Sequence, residues 1–132
     1  MIQERTDTSV FRGVFRGHEL IIREMVWDKE LSTIAPLLAK NYYCGYVELL
    51  PEDYYYDRPS KAESELQVFG GITYTEDYGH LYALPEGKRF VGFDTAHAFQ
   101  PHYTLDNVKQ NCFGLIEQIV KRNYDTPAGV LC

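Results

Sequence analysis

The apolar pattern opens with two short runs. Val10 to Val14 and Glu19 to Val26 are rich in Val, Phe and Ile, and Gly17-His18 lies between them. That spacing predicts a β-hairpin. Helical periodicity over Glu19 to Trp27 is the competing reading of the second run. Asp28 is placed to cap a short helical segment through Leu31, Pro36 limits it, and Leu37-Leu38-Ala39 offers a restart. Cys44 to Leu50 reads as a strand closed by Pro51. Glu52 to Ser60 is an acidic, tyrosine-rich loop, and Lys61 to Glu65 fits one helical turn.

Leu66 to Tyr74 is a β-rich run interrupted by Gly70-Gly71, and glycine inside a strand marks a bulge or a close backbone approach. Tyr78 to Gly87 is rich in turn residues, with a short strand expected over Leu81 to Leu84. Phe90 to Asp94 is a further strand. The clearest element follows. Thr104 is a good N-cap, and Asp106 complements the dipole of the first turn. Leu105, Val108, Cys112, Leu115, Ile116, Ile119 and Val120 recur at helical spacing, and Lys121-Arg122 suits the C-terminal end. The expected fold is α+β, a twisted antiparallel β-sheet packed against a long C-terminal α-helix.

The chain of 132 residues fits one domain and is long enough to bury a core. Acidic residues outnumber basic ones, 19 to 13, for a net charge of −6. The basic residues are scattered, with no cluster longer than Lys88-Arg89 or Lys121-Arg122. General nucleic-acid binding needs concentrated Lys and Arg and is not expected, nor is a membrane partner. A small phosphorylated ligand needs only one or two cations and some backbone amides. The polar stretch Met1 to Ser9 carries no signal-peptide pattern, so a cytoplasmic location is expected. Cys44, Cys112 and Cys132 form no metal-ligand spacing and no disulfide framework, and Cys112 falls on the apolar helix face. No metal or cofactor is expected.

Eleven tyrosines and seven phenylalanines are many for a chain this short. Tyrosine suits binding surfaces, but it also fills half-buried strand positions, and the latter accounts for most of them. Three constellations carry candidate chemistry. In Phe69-Gly70-Gly71-Ile72-Thr73-Tyr74, bare amides and the Thr73 hydroxyl can cradle a phosphate, or the glycines simply bend a strand. In Gly92-Phe93-Asp94-Thr95-Ala96-His97, followed by His102, an Asp near a His at a strand end serves acid–base chemistry or a ligand clamp, or else fixes the turn before the helix. In Asn41 to Val47, alternation puts Tyr42, Cys44 and Tyr46 on one face and Tyr43, Gly45 and Val47 on the other. No nucleophile elbow, P-loop, dinucleotide fingerprint or zincin helix is present.

In order, Gly45-Tyr46-Val47 with Pro51, Gly70-Gly71-Ile72-Thr73-Tyr74, and Gly92-Phe93-Asp94-x-Ala96-His97 leading to Leu105–Val108 resemble the motifs of a family of small proteins encoded by phages and prophages. The resemblance spans Asn41 to Val120. This chain carries Phe69 where relatives tend to have a histidine, and Thr95 where they often have a cysteine.

The resemblance implies a phage protein acting in the cytoplasm of an infected bacterium against host defence. One such class sequesters a small nucleotide immune signal, of the cyclic ADP-ribose type, without catalysis. Tyr43, Tyr46 and Phe69 would then stack on a base, and Gly70, Gly71 and Thr73 would meet phosphate oxygens. Arg58 or Arg89 would neutralise a phosphate, Asp94 would accept from ribose hydroxyls, and His97 and His102 would complete the ligand-binding set. A homo-oligomer with the pocket near its interface is expected. Two alternatives remain: a metal-independent phosphodiesterase using His97 and His102, and an acidic inhibitor presenting Glu48 to Asp57 to a host enzyme.

Overall fold

A computed structural model describes residues 7–25, 42–96 and 104–125. The elements are β1 (Asp7–Phe15), β2 (His18–Met25), β3 (Tyr42–Leu49), α1 (Pro59–Glu65), a 3-10 turn (Glu76–Tyr78), β4 (Arg89–Asp94) and α2 (Leu105–Asp125). The four strands form one antiparallel sheet in the order β1-β2-β3-β4. The fold is α+β, as expected.

The β1–β2 hairpin turns at Arg16-Gly17, whose φ angles are 51° and 80°. Positive φ at both central residues makes the turn twist with the strands it joins. The pairing slips between Ser9 and Phe11, leaving Val10 as a bulge on the outermost strand. Glu19 to Met25 is strand, not helix, because β1 and β3 pair with it on its two sides. The segment expected to turn helical after Asp28 lies outside the described residues.

Alternation sorts the apolar residues onto two faces. On one, Leu20, Ile22, Val47, Leu49, Val91 and Phe93 pack against Val108, Cys112, Leu115, Ile116 and Ile119 of α2, with Tyr55, Ala62 and Leu66 closing the layer beside α1. Each large apolar side chain buried this way contributes about 1.5–3 kcal/mol. Ile21, Tyr46 and Phe90 point to the other face, where Leu84, Leu81 and Tyr74 cover them. Thr104 and Asn107 cap α2 reciprocally: each backbone N–H donates to the other's side-chain oxygen at 3.1 Å.

Three local expectations need correction. Leu66 to Tyr74 is not a strand, because Gly70 and Gly71 both have positive φ, 75° and 84°, and reverse the chain. The segment joins the sheet at its end, where Thr73 and Tyr74 bond to Gly92 and Tyr74 forms a single bridge. Leu81 to Leu84 forms a turn, and the regular structure in that region is the 3-10 turn before it, started by Thr75 accepting from the Asp77 amide. The helical turn at Lys61 begins earlier, at Pro59, since proline at the first helical position has no amide left unpaired.

Candidate functional site

The three sequence motifs meet in space, and where they meet they pack. A Cβ on Gly92 would stand 2.5 Å from Cδ1 of Tyr46, so the Tyr46 ring lies directly across that glycine. Tyr46 also makes an edge-on contact with Tyr74, centroids 5.7 Å apart at 83°. The Tyr74 hydroxyl donates to the Gly79 carbonyl at 3.0 Å and accepts from the Leu81 amide at 2.9 Å. Gly45 accommodates Phe93 and Cys112 in the same way from the helix side. Tyr46 is buried, and burial drives its phenol far above the ordinary range. It forms part of a core.

Tyr43 and Tyr46 point to opposite faces of the sheet, so they do not stack on one base: Tyr43 packs with the α2 layer and Tyr46 with the layer beneath Leu84. The amides expected to cradle phosphate are engaged internally. Gly71 N–H donates to Val68 O at 2.8 Å, Thr73 N–H to Gly92 O at 2.9 Å, and Phe69 N–H to Asn111 Oδ1 at 3.3 Å. Gly70 and the Thr73 side chain are exposed at this edge. Asp94 accepts from the Ala96 amide at 3.0 Å, and Thr95 trades hydrogen bonds with the Tyr43 backbone, so both fix the chain as it leaves β4. His97 and His102 lie outside the described residues.

Arg89 and Arg58 sit elsewhere. Arg89 starts β4 opposite Leu49, whereas Asp94 ends it opposite Cys44. Five residue steps along the strand separate them by roughly 17 Å. Among the described residues, Arg89, with Arg58 in the loop of its partner Tyr56, therefore lies at one end of the sheet, and Tyr43 and Asp94 lie at the other.

The Arg89 end is built from arginines laid on tyrosines. The Arg89 guanidinium lies 4.9 Å from the Tyr56 ring centroid. Those of Arg58 and Arg122 lie 4.3 Å and 3.9 Å from Tyr54. Arg58 also donates to the Tyr54 carbonyl at 2.6 Å, and Arg122 pairs with Glu65 at 3.6 Å. Nε of Arg89 is buried with no hydrogen-bond partner among the described residues. A buried, unsatisfied donor is costly, by about 1–3 kcal/mol and more when charged.

Two side chains that the sequence does not single out anchor this end. His18 Nε2 lies 2.8 Å from Asp53 Oδ2, and Nδ1 lies 2.8 Å from the Arg16 carbonyl. Asp53 accepts further bonds from the Leu50 amide at 2.7 Å and from Asn123 Nδ2 at 2.8 Å. Asn123 Oδ1 in turn accepts from the Tyr54 amide at 2.8 Å. Burial opposes charge on both groups. The mutual hydrogen bond and the backbone partners outweigh it, holding His18 above and Asp53 below their ordinary values. One signal was available: in a hairpin beginning at His18, alternation places it on the face of Leu20 and Ile22. Its partner lies 35 residues away, and nothing local announces it.

Of the four carboxylates between Glu48 and Asp57, Glu48 and Asp53 are buried and bonded internally, leaving Glu52 and Asp57 at the surface. A groove of about 410 Å³ runs between Arg16 and Glu117, Gln118, Val120, Lys121 and Tyr124 of α2, and none of the sequence-predicted site residues lines it. Among the described residues, no three His, Cys, Asp or Glu side chains stand together as a metal site, and no helix is long and apolar enough to cross a membrane. No protein-family model matches the chain, and no curated protein or solved structure is significantly similar to it.

Proposed function

We propose that the protein is a phage-encoded anti-defence binder that captures a small nucleotide signal, of the cyclic ADP-ribose type, without changing it chemically. Its phosphates would engage the arginine–tyrosine end of the sheet. The observation that carries this reading is Arg89: a half-buried arginine whose guanidinium carbon lies 4.9 Å from the Tyr56 ring centroid, with an Nε–H that has no acceptor among the described residues. Nε itself is shut off from solvent, so a phosphate oxygen would meet the guanidinium through its terminal N–H groups, which offer paired donors in a fixed plane. Arg58, held on Tyr54 two residues from Tyr56, supplies a second cation from the same loop. Stacking fixes both side chains before a ligand arrives, which lowers the entropy lost on binding. The motif resemblance to phage proteins supports the biological setting.

The test is capture and release. The full chain is incubated with a panel of cyclic and linear nucleotides, freed of unbound material and heat-denatured, and the released compound is identified. Intact nucleotide is expected from the wild type, with Arg89→Ala retaining markedly less. A chemically altered product, or no depletion of any nucleotide, overturns the reading.

A further inference from the structure

The strongest unexplained feature is the buried chain of hydrogen bonds under the arginine–tyrosine loop. Both nitrogens of His18 face oxygens that can only accept: the Arg16 carbonyl, and an Asp53 carboxylate already receiving an amide from Leu50 and another from Asn123. Satisfying both requires two ring N–H groups, the geometry of a cationic imidazole with Asp53 as its counter-ion. The side chains of His18 and Asp53 are 4% and 1% exposed, so this pair is dry.

A dry ion pair is a poor source of stability, because desolvation offsets most of the attraction, and apolar residues of like volume do as well or better. Its better-attested use is to fix register. Here the bonds run without a break from the β1–β2 turn, through the ring, carboxylate and Asn123, to the backbone amide of Tyr54. Tyr54 is the ring on which Arg58 and Arg122 lie.

We propose that His18, Asp53 and Asn123 are positioning residues that lock the Tyr54–Arg58 loop in its anion-binding geometry, and that they do so only while the imidazole carries its second proton. This rests on the reading of that loop as the phosphate end. The groups facing the ring are accounted for element by element. Asp53 from the loop bonds it, Glu48 from β3 adds a second negative charge, Arg16 from the turn contributes its carbonyl while its guanidinium pairs with Glu117 at 3.2 Å, and Asn123 from α2 is neutral. Loss of the Nδ1 proton sets its lone pair against the Arg16 carbonyl and frees the β1–β2 turn, whereas loss of the Nε2 proton sets that lone pair against Asp53 and breaks the chain there.

The experiment is an NMR titration of the full-length protein, labelled on histidine nitrogen and backbone amides, between about pH 5 and 9. His18 is expected to show two protonated ring nitrogens at neutral pH, with the Tyr54 amide shifting at the same midpoint as the ring. A neutral tautomer at pH 7, or a Tyr54 amide that ignores the His18 transition, overturns the proposal. Asn123→Ala cuts the link but leaves the ion pair. It is expected to weaken binding of inorganic pyrophosphate by roughly two- to tenfold, the worth of one hydrogen bond, and to uncouple Tyr54 from the titration. A folded Asn123→Ala protein that keeps the coupling overturns the proposal too. If the wild type binds no pyrophosphate, the phosphate reading fails, while the coupling alone decides whether the network places the loop.

Discussion

Replacing Gly92 by alanine tests the meeting point of the three motifs. A Cβ there would lie 2.5 Å from Tyr46 Cδ1, 2.9 Å from Tyr46 Cε1 and 2.9 Å from the Gly45 carbonyl oxygen. Comfortable contacts between carbon atoms fall near 3.5–4.0 Å, so the overlap is about 1 Å. The ring has little room to yield, since Tyr74 meets it edge-on and Arg23 bonds its hydroxyl at 3.3 Å. The carbonyl belongs to the β3 backbone and yields even less. Overpacking of this kind costs about 1–3 kcal/mol, and the ordinary gain from replacing glycine returns about 0.4–1 kcal/mol. The net expectation is a loss of about 1–2 kcal/mol, or a Tm lower by roughly 3–10 °C for a chain of this size. Urea unfolding followed by far-ultraviolet circular dichroism reads it as a lower midpoint at unchanged slope. In a Tyr46→Ala background the cost should shrink without vanishing, because the Gly45 carbonyl remains. Equal or greater stability of Gly92→Ala would refute the packing account.

Stability should also be greatest in mildly acidic solution. His18 is held above its ordinary 6.5, so its contribution is complete below that pH and fades as pH rises through the folded-state value. Asp53 is held below its ordinary 3.8, so its contribution is complete above that pH and fades as pH falls through the folded-state value. Urea midpoints measured across the range should peak between the two, and a steady rise through neutral pH would contradict the ion pair. Burial pushes the Cys112 thiol up to about 12, so a thiol reagent at pH 8 should leave Cys112 unlabelled until the protein unfolds; peptide mapping of the labelled native chain checks this.

How much of this was legible in the sequence follows from how local each cause is. The β1–β2 hairpin, β3, β4 and α2 all follow from apolar spacing, because their apolar residues recur at strand or helix period. The Glu19 run stayed ambiguous because a central strand buried on both faces loses its alternation. Leu66 to Tyr74 misled because its β-forming side chains surround two glycines whose backbone angles no composition reveals. Pro59 was visible as a helix start, yet the Arg58-Pro59 pair reads equally well as the end of a loop. Arg89 belongs to one end of the sheet and Asp94 to the other, while Thr73 bonds to Gly92 between them, and that division is set by strand length and register. The His18–Asp53 pair is wholly a product of the fold, since it joins the first hairpin to a loop beyond β3.

The displaced residue in the outermost strand has a consequence for how easily another strand can add to that edge. Val10 interrupts the regular spacing of main-chain donors and acceptors along that rim. An intruding polypeptide would find its ladder out of step after a few rungs. The opposite rim is interrupted differently, by the rung that Tyr74 adds against Gly92 and by the Glu76 carboxylate that accepts from the Phe90 amide. The two edges of the sheet thus break the regular spacing that an added strand needs by different means, a bulge on one and a crossing rung on the other.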